Sequence, residues 1–293
     1  MRHINNYKLW SFNIMDSLIN WQALQKLSMP PMPPHSANGE NMWDTAATMY
    51  NKMAALEKVH TLNQINALPL RSTDTVLDMG CGPGRITVPV AQRVSSVTAA
   101  DSAESMLAFC KENVKNANLT NVDQVFLDFN DAVVGTNLKK HDVAICSRSA
   151  GLQDLKKLSS FADRIAAIVI WANAPSIPEL LEKLFTGTGS RNRRPRPGRN
   201  DRRVGYNLFY NIVYDLGYEP NVHVVDDGFT REYTSREEAY SDLSILGEID
   251  PDKMDVFQRN VDQFLTNNPN GGYTFLLETR SAVIWWDVSS KIY

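Results

Sequence analysis

The sequence predicts an α/β protein with a doubly wound, mainly parallel sheet. Five strand-like runs alternate with segments of helical periodicity, and they lie at residues 75–79, 96–100, 123–127, 142–146 and 166–171. The first run shows no polar alternation before its end, which is typical of a parallel strand covered on both faces. A glycine-rich turn follows this run and leads into a helical segment. This order favours one open sheet with helices on both sides.

Size and composition fit one large domain, or one domain with an appendage. The chain has 293 residues, a formal net charge of −3 and 43% hydrophobic residues, which is enough for a sizeable core. The slight negative charge gives no general attraction to nucleic acid, so the composition argues against such a partner.

The cysteines predict a reducing compartment and no metal site. Cys81, Cys110 and Cys146 are odd in number and fit neither a CxxC pair nor a zinc-ligand spacing. We therefore expect reduced thiols in a cytoplasmic protein. The N-terminus has no uninterrupted apolar stretch, and no segment reaches about 18 apolar residues, so neither an export signal nor a membrane span is predicted.

Residues 1–40 are predicted to form a helical arm and a linker ahead of the main domain. Four apolar residues are spaced to share one helical face, namely Ile14, Leu18, Trp21 and Leu24. This face could pack on the domain or on a second subunit, and in the latter case the arm would form a homodimer. Met-Pro-Pro-Met-Pro-Pro at 29–34 breaks any helix and predicts an extended linker.

The clearest signal for ligand binding lies between Thr75 and Thr87. The pattern Gly-x-Gly-x-Gly over 80–84 lets the backbone turn tightly and brings amide groups close to a ligand. A dinucleotide fingerprint would need a third glycine at the next position, which holds Arg85. Asp78, at the end of the strand, can accept hydrogen bonds from a cationic or hydroxyl-bearing ligand.

A second carboxylate follows the next predicted strand. Asp101 lies about 20 residues beyond the glycine loop, the distance at which an acidic side chain accepts bonds from a ribose diol in nucleotide sites. It could also cap the following helix, and the two roles are compatible. Met106, one turn into that helix, could touch an adenine or belong to the core.

Asp-x-Gly-x-Gly-x-Gly after a strand resembles motif I of the class I S-adenosylmethionine (SAM) dependent methyltransferases. In that family the loop wraps the methionine part of SAM. The resemblance extends over about residues 43–171 and implies a Rossmann-like, seven-stranded sheet with an antiparallel last strand, for which residues 282–286 are the candidate. The helix-first layout and an insertion before the last strand are similar to the small-molecule branch, such as the ubiquinone/menaquinone methyltransferases.

The resemblance implies SAM as cofactor, S-adenosylhomocysteine as product, and a set of binding residues. In this family an acid after the third strand meets the adenine amino group and the next residue lies on the ring. Asp128 and Phe129 match these two positions. The residues expected at the cofactor are Asp78, Gly80, Cys81, Gly82, Gly84, Asp101, Ser102, Met106, Asp128, Phe129 and Ser147.

Four further residues are candidates for binding the acceptor, namely Trp43, Tyr50, Arg148 and Ser149. Ser147, Arg148 and Ser149 follow the fourth strand, and open parallel sheets bind ligands at that edge. Arg148 could pair with an acidic group of the substrate or with a surface carboxylate of the protein. Trp43 and Tyr50, on the helix before the first strand, could cover the ligand or belong to the core.

Two later segments of the main domain, residues 41–293, could also meet an acceptor. Seven arginines between 191 and 203 lie in a loop at 186–203 that is rich in glycine and proline. Three uses stay open for this loop: ion pairs with the protein's own acids, an acidic small molecule or phosphate, or RNA. Residues 227–270 are expected to form a helical insertion that acts as a lid.

The sequence favours a methyltransferase that acts on a small molecule carrying an acidic or phosphate group. An Asn/Asp-Pro-Pro-Tyr/Phe motif is missing after the fourth strand, which disfavours methylation of DNA adenine or of glutamine. No general base is evident, since His60 could equally be packing and His141 precedes a strand. The alternatives are a non-catalytic, regulatory SAM-binding protein and an RNA methyltransferase that uses the arginine loop.

Overall fold

The computed structural model describes residues 19–28, 41–172, 175–189 and 205–291. Its helices are α1 (Trp21–Ser28), α2 (Met42–Leu56), α3 (Lys58–Asn66), α4 (Thr87–Ala91), α5 (Glu104–Asn116), α6 (Leu155–Ser160), α7 (Ile177–Leu184), α8 (Tyr206–Asp215), α9 (Arg236–Ser244) and α10 (Met254–Asp262). Its strands are β1 (Thr75–Met79), β2 (Ser96–Asp101), β3 (Val122–Phe126), β4 (His141–Ser147), β5 (Ala162–Trp171), β6 (Asn221–Tyr233), β7 (Leu265–Asn267) and β8 (Tyr273–Asp287).

The strands form one sheet in the order β3-β2-β1-β4-β5-β8-β6, and the short β7 pairs with β8. Strands β1 to β5 are parallel neighbours, whereas β8 runs antiparallel to β5, β6 and β7. The doubly wound α/β prediction, with its antiparallel last strand, is confirmed. The short β7 adds an eighth strand that the sequence pattern did not indicate.

Strand β6 and strand β8 are both longer than the sequence predicts. Besides the candidate last strand at 282–286, the sequence predicts separate short strands at 221–225 and 273–277. Instead, β6 pairs with β8 without interruption from Asn221 opposite Trp285 to Tyr233 opposite Tyr273. Backbone pairing with the partner strand sustains these segments where their own composition is too polar to mark them. The helical part of the expected insertion therefore begins after β6, with α9.

Alternate residues of β1 face opposite sides of the sheet, which explains how the core divides. Leu77 and Met79 join a cluster formed with α6 and α8. Val76 faces the other way and packs with residues of α3 and α4. A third cluster joins α7, α9 and α10 to the outer halves of β6 and β8.

Helix α1 packs on the body of its own chain. Trp21 and Leu24 contact the core beside α6 and α8, and the amide of Gln25 donates a hydrogen bond to the carbonyl of Leu152. Residues 1–18 and 29–40, with the rest of the predicted arm and its linker, lie outside the described residues, as do positions 190–203 of the arginine loop. Among the described helices, none has the length and apolar character needed to cross a membrane.

Candidate functional site

The glycine loop connects β1 to α4 and is held against β2. Gly80, Gly82 and Gly84 adopt φ values of +73°, +55° and +88°, a left-handed region that side chains with a Cβ rarely enter. The amides of Gly80 and Cys81 both donate to the carbonyl of Ala100, at 2.8 and 3.0 Å. The loop is thus a tight turn fixed to the end of β2.

Ser149 closes one side of this loop. Its hydroxyl donates to the carbonyl of Met79 at 2.7 Å, and a Cβ on Gly80 would overlap the Ser149 side chain. The sequence predicts that Ser149 binds the molecule to be methylated. In the structure Ser149 lies against the glycine loop. Glycine at position 80 is therefore required by both backbone conformation and space.

Asp101 lies where the sequence placed it, at the end of β2 facing the glycine loop. Its Oδ2 accepts a hydrogen bond from the Gly82 amide at 2.8 Å, and its Oδ1 accepts one from the Ala103 amide at 3.0 Å. Burial raises the pKa of Asp101, against the lowering effect of these backbone bonds. The carboxylate thus joins the glycine loop to the turn that leads into α5.

Asp78 is 1% exposed and faces α4. Its Oδ2 accepts a hydrogen bond from the Thr87 hydroxyl at 2.6 Å, whereas its buried Oδ1 has no hydrogen-bond partner among the described residues. Burial raises its pKa to about 6, although Thr87 and Arg85 lower it. An unpartnered acceptor beside a glycine loop is well placed to receive a donor from a ligand.

Helix α2 packs over the N-terminus of α5. Asn41 caps α2 by accepting from the Trp43 amide at 3.0 Å, and its Nδ2 donates to the carbonyl of Ser102 at 2.8 Å. Asp44 accepts a hydrogen bond from the Ser105 amide at 2.7 Å. The sequence analysis missed these two residues, although an asparagine directly before a helix is a recognisable capping signal.

Trp43, Tyr50 and Met106 come together at this helix contact. The two rings meet edge to face with centroids 5.6 Å apart, and Met106 packs in the same cluster at 3% exposed. A Cβ on Gly82 would lie 4.0 Å from the Met106 sulfur. The three side chains therefore form an apolar cluster that adjoins the glycine loop. Their contact with a ligand stays a prediction.

Asp128 and Phe129 lie in the segment that follows β3. Asp128 accepts a hydrogen bond from the Asn130 amide at 2.7 Å and shapes its own turn. Phe129 is 5% exposed, and its ring packs edge to face on Phe161, with centroids 6.0 Å apart. Lys157 lies over this ring at 5.1 Å. The adenine contacts expected of Asp128 and Phe129 stay predictions, and the ring of Phe129 already has contacts with Phe161 and Lys157.

Arg85 is a site residue whose role the sequence did not reveal. Its guanidinium donates to the Ser147 hydroxyl at 2.5 Å and to Gln64 at 2.8 Å, and it lies 3.5 Å from a carboxylate oxygen of Glu57. Burial lowers its pKa, while the carboxylates around it raise it. Arg85 thus connects the glycine loop to α3 and to the end of β4.

Arg148 is bound by the protein's own carboxylates. Its guanidinium donates to Glu57 at 2.8 Å, to Asp227, and to the Ser281 hydroxyl at 2.8 Å, and it lies 5.0 Å from the centre of the Trp171 ring. Burial disfavours the charge of Asp227, but Arg148 and Arg85 outweigh it, so the pKa of Asp227 is lowered. Of the two partners left open for Arg148, the structure supplies the protein carboxylate, in the interior.

Comparison with known proteins finds similarity in the part of the chain that contains this site. Residues 76–169 match the family model described as "Methyltransferase domain". The match runs from β1 into β5, so it includes the glycine loop, Asp101 and Ser147.

Two curated relatives differ in how much they share. An "Uncharacterized protein" of Haemophilus influenzae is 25% identical over 259 residues, 84% of this chain and 88% of that protein. The 23S rRNA (uracil(1939)-C(5))-methyltransferase RlmD of Francisella tularensis subsp. novicida is 27% identical over 95 residues, 31% of this chain. The latter match spans only 21% of that enzyme's length.

Solved structures that align with this one include a SAM-dependent methyltransferase from Aquifex aeolicus. Its TM-score is 0.46 at 15% identity, over 84% of this chain and 98% of that one. A putative methyltransferase from Bacillus halodurans has a TM-score of 0.46 at 13% identity, over 79% of this chain and 100% of the other.

Proposed function

We propose that this chain is a SAM-dependent methyltransferase that acts on a small acceptor molecule. The observation that carries the proposal is the contact between the Asp101 carboxylate and the Gly82 amide, at 2.8 Å, where β1 and β2 end side by side. Open parallel sheets bind their ligands at this edge.

The residues present fit the cofactor. The glycine loop offers backbone without side chains over residues 80–84, and Asp101 offers acceptor oxygens for a ribose diol. Asp78 holds a buried oxygen that lacks a partner among the described residues, which suits a cationic amino group. Trp43 and Met106 add apolar surface beside the loop, as an adenosine ring requires.

SAM supplies an electrophilic methyl group when bound. The protein therefore has to bind the acceptor, orient it toward that methyl group and exclude water. Helix α2 contributes to the last of these, because Asn41 and Asp44 fasten it over the start of α5. A general base is needed only if the acceptor atom carries a proton of high pKa. Neither His60 nor His141 has contacts that assign it this role. His141 is the first residue of β4, at the edge of the sheet opposite the glycine loop, and its Nε2 is hydrogen-bonded to the Thr98 hydroxyl at 2.8 Å.

The acceptor class is a finer proposal. An acidic or phosphate group on the acceptor would find its cations in the arginine loop at 186–203 rather than in Arg148, whose guanidinium is already paired with Glu57 and Asp227. The helices that precede β1 and the segment between β6 and β8 support the small-molecule branch, of which the ubiquinone/menaquinone methyltransferases are an example.

RNA methylation is a second candidate, because part of the chain is similar to an rRNA methyltransferase. The two candidates differ in the product of a transfer assay. With SAM labelled on its methyl group, a small-molecule enzyme labels an RNA-free metabolite extract, whereas an RNA enzyme labels purified RNA. If the chain binds SAM but labels neither the metabolite extract, nor RNA, nor other proteins, it would be a regulatory SAM-binding protein.

Replacing Asp101 tests the cofactor site directly. Asp101→Ala removes a buried carboxylate that holds the loop and would bind the ribose, so we expect the affinity for S-adenosylhomocysteine to fall at least about tenfold in calorimetry. The matched control is Asp123→Ala, an exposed aspartate on the neighbouring strand β3, which should bind like the wild type.

Circular dichroism checks that both variants are folded. Equal affinity of the Asp101→Ala variant and the wild type would contradict the proposed site.

A further inference from the structure

The glycine loop contains a thiol that lies beside a second thiol on α5. Cys81 and Cys110 belong to one buried cluster together with Ala99. Cys81 is 5% exposed and Cys110 is fully buried. Gly84 adjoins both residues: its amide donates to the Cys81 carbonyl at 3.0 Å, and a Cβ on it would lie 3.0 Å from the Cys110 sulfur. Cys81 belongs to the loop expected at the cofactor, but the sulfur atoms of the two side chains have no part in the methyl transfer proposed above.

The two thiols share a hydrogen bond, which raises the pKa of Cys81 and lowers the pKa of Cys110. The Cys81 thiol also donates to the Gly82 carbonyl at 3.5 Å. The two sulfur atoms are therefore neighbours in the buried cluster that joins the loop to α5. The third cysteine, Cys146, lacks such a neighbour, and burial raises its pKa to about 11.

We propose that Cys81 and Cys110 are a modification site at which a peroxide closes a reversible disulfide that blocks the cofactor loop. The proposal rests on the proposed function, since it concerns access of SAM to the same loop. Oxidation of paired thiols of this kind inside the cell is transient and regulatory rather than structural.

The chemistry balances with hydrogen peroxide as the oxidant. One of the two thiols attacks a peroxide oxygen, the O–O bond breaks, and the departing hydroxide takes the thiol proton and leaves as water, so that this cysteine becomes a sulfenic acid. The second thiol then attacks the sulfenic sulfur, the S–O bond breaks as the S–S bond forms, and the hydroxide released takes the second thiol proton and leaves as a second water. Two thiols are oxidised, one peroxide is reduced, and a dithiol reagent reverses the change.

The disulfide would displace the loop because the packing around it is tight. A disulfide brings its sulfur atoms to about 2 Å, which draws Cys81 toward α5. Gly84 already lies against Cys110, so it has to move when Cys81 does. Asn113 of α5 also holds the loop, through a bond from its Nδ2 to the Pro83 carbonyl at 2.8 Å. A shifted loop loses the alignment of its amides with the Asp101 carboxylate.

Mass spectrometry of the whole chain detects the site without any knowledge of the acceptor. Trypsin places the two cysteines on separate peptides, Ser72–Arg85 and Val94–Lys111. After treatment with hydrogen peroxide we expect these two peptides to appear cross-linked, and to separate on reduction. Cys146→Ser should still form the cross-link, whereas Cys110→Ser should not.

Calorimetry with S-adenosylhomocysteine, on the same samples, measures the consequence. The peroxide-treated wild type should lose about tenfold or more in affinity and recover it on reduction. Cys110→Ser, treated alike, should keep its affinity, which also controls for oxidised methionines. Absence of the cross-link would overturn the proposal, and so would a cross-linked protein that binds normally.

Failure of the proposed function would look different. A reduced wild type that does not bind S-adenosylhomocysteine contradicts the cofactor assignment and, with it, the blocking role of the disulfide. The cross-linked peptides report the disulfide itself in either case.

Discussion

Asp78 is a carboxylate in a place that disfavours its charge. It is 1% exposed, and one of its oxygens lacks a hydrogen-bond partner among the described residues. Burial raises its pKa from 3.8 to about 6. Because the folded state then binds the proton more tightly than the unfolded state, this residue's contribution to stability falls as pH rises from about 4 to about 6.

The first prediction follows from this sign. Asp78→Asn keeps an acceptor for Thr87 but has no charge to bury, so its stability relative to the wild type should rise between pH 4 and pH 8. The gain is at most about 3 kcal/mol, since one pKa unit corresponds to about 1.4 kcal/mol. Urea unfolding at several pH values measures it. The same variant should bind S-adenosylhomocysteine more weakly, and a stability difference that is independent of pH would contradict the expectation.

Gly80 differs from other left-handed glycines in what surrounds it. It has φ of +73°, and a Cβ there would overlap Ser149. Gly135 has a similar φ of +80°, but a Cβ there would meet nothing within 4 Å. The two positions therefore separate the cost of backbone conformation from the cost of space.

The second prediction compares alanine at these two positions. Gly135→Ala should lose about 1–2 kcal/mol, the cost of a left-handed backbone with a Cβ, and Gly80→Ala should lose clearly more. Denaturant unfolding gives both values. Adding Ser149→Gly to Gly80→Ala should recover the excess, and equal losses in the two single variants would show that the contact with Ser149 does not restrict position 80.

Among the secondary-structure elements, the junction of α2 and α3 is joined to the sheet by a buried ion cluster. Glu57 lies at this junction, Arg148 follows β4, and Asp227 lies in β6. Arg148 itself has φ of +55°, an uncommon conformation for a residue with a side chain. These contacts hold the helices that cover the glycine loop against the edge of the sheet.

The third prediction concerns the removal of this arginine. Arg148→Met leaves Glu57 and Asp227 buried with less compensation, so we expect a loss of about 3–5 kcal/mol in the free energy of unfolding. Arg148→Lys keeps a charge without the forked donors and should lie between this variant and the wild type. The control is Arg259→Met, which breaks an exposed pair with Asp255 on α10 and should change little.

Denaturant unfolding compares the three variants. A loss in Arg148→Met no larger than that in Arg259→Met would show that the cluster contributes nothing to the attachment of α2 and α3.

At the scale of the whole molecule, β6 and β8 extend the sheet into a second layer of packing. Their inner halves pair beside β5, and their outer halves support the cluster of α7, α9 and α10. Met53 and Leu56 of α2 belong to this same cluster, and Lys52 of α2 forms an ion pair with Asp242 of α9. The helices before β1 and those before β8 are therefore packed together on one side of the fold.

The sequence by itself determined the sheet and the glycine loop. Strand β1, the turn over 80–84 and Asp101 were predictable because their signals are local: apolar runs, glycines and a carboxylate at a strand end. The length of β6 and β8 was not predictable in this way, because pairing between the strands, rather than their composition, sustains them.

The tertiary structure decided which side chains meet at the site. Arg148 is paired with Glu57, 91 residues away in the sequence, and with Asp227, 79 residues away. Cys110 of α5 packs with Cys81 of the glycine loop. No pattern of spacing encodes such partners, since a buried charge or thiol takes whichever groups the packing of distant elements brings to it. The glycine loop that we propose as the cofactor site is thus encoded locally, whereas the groups that surround this loop are set by the fold.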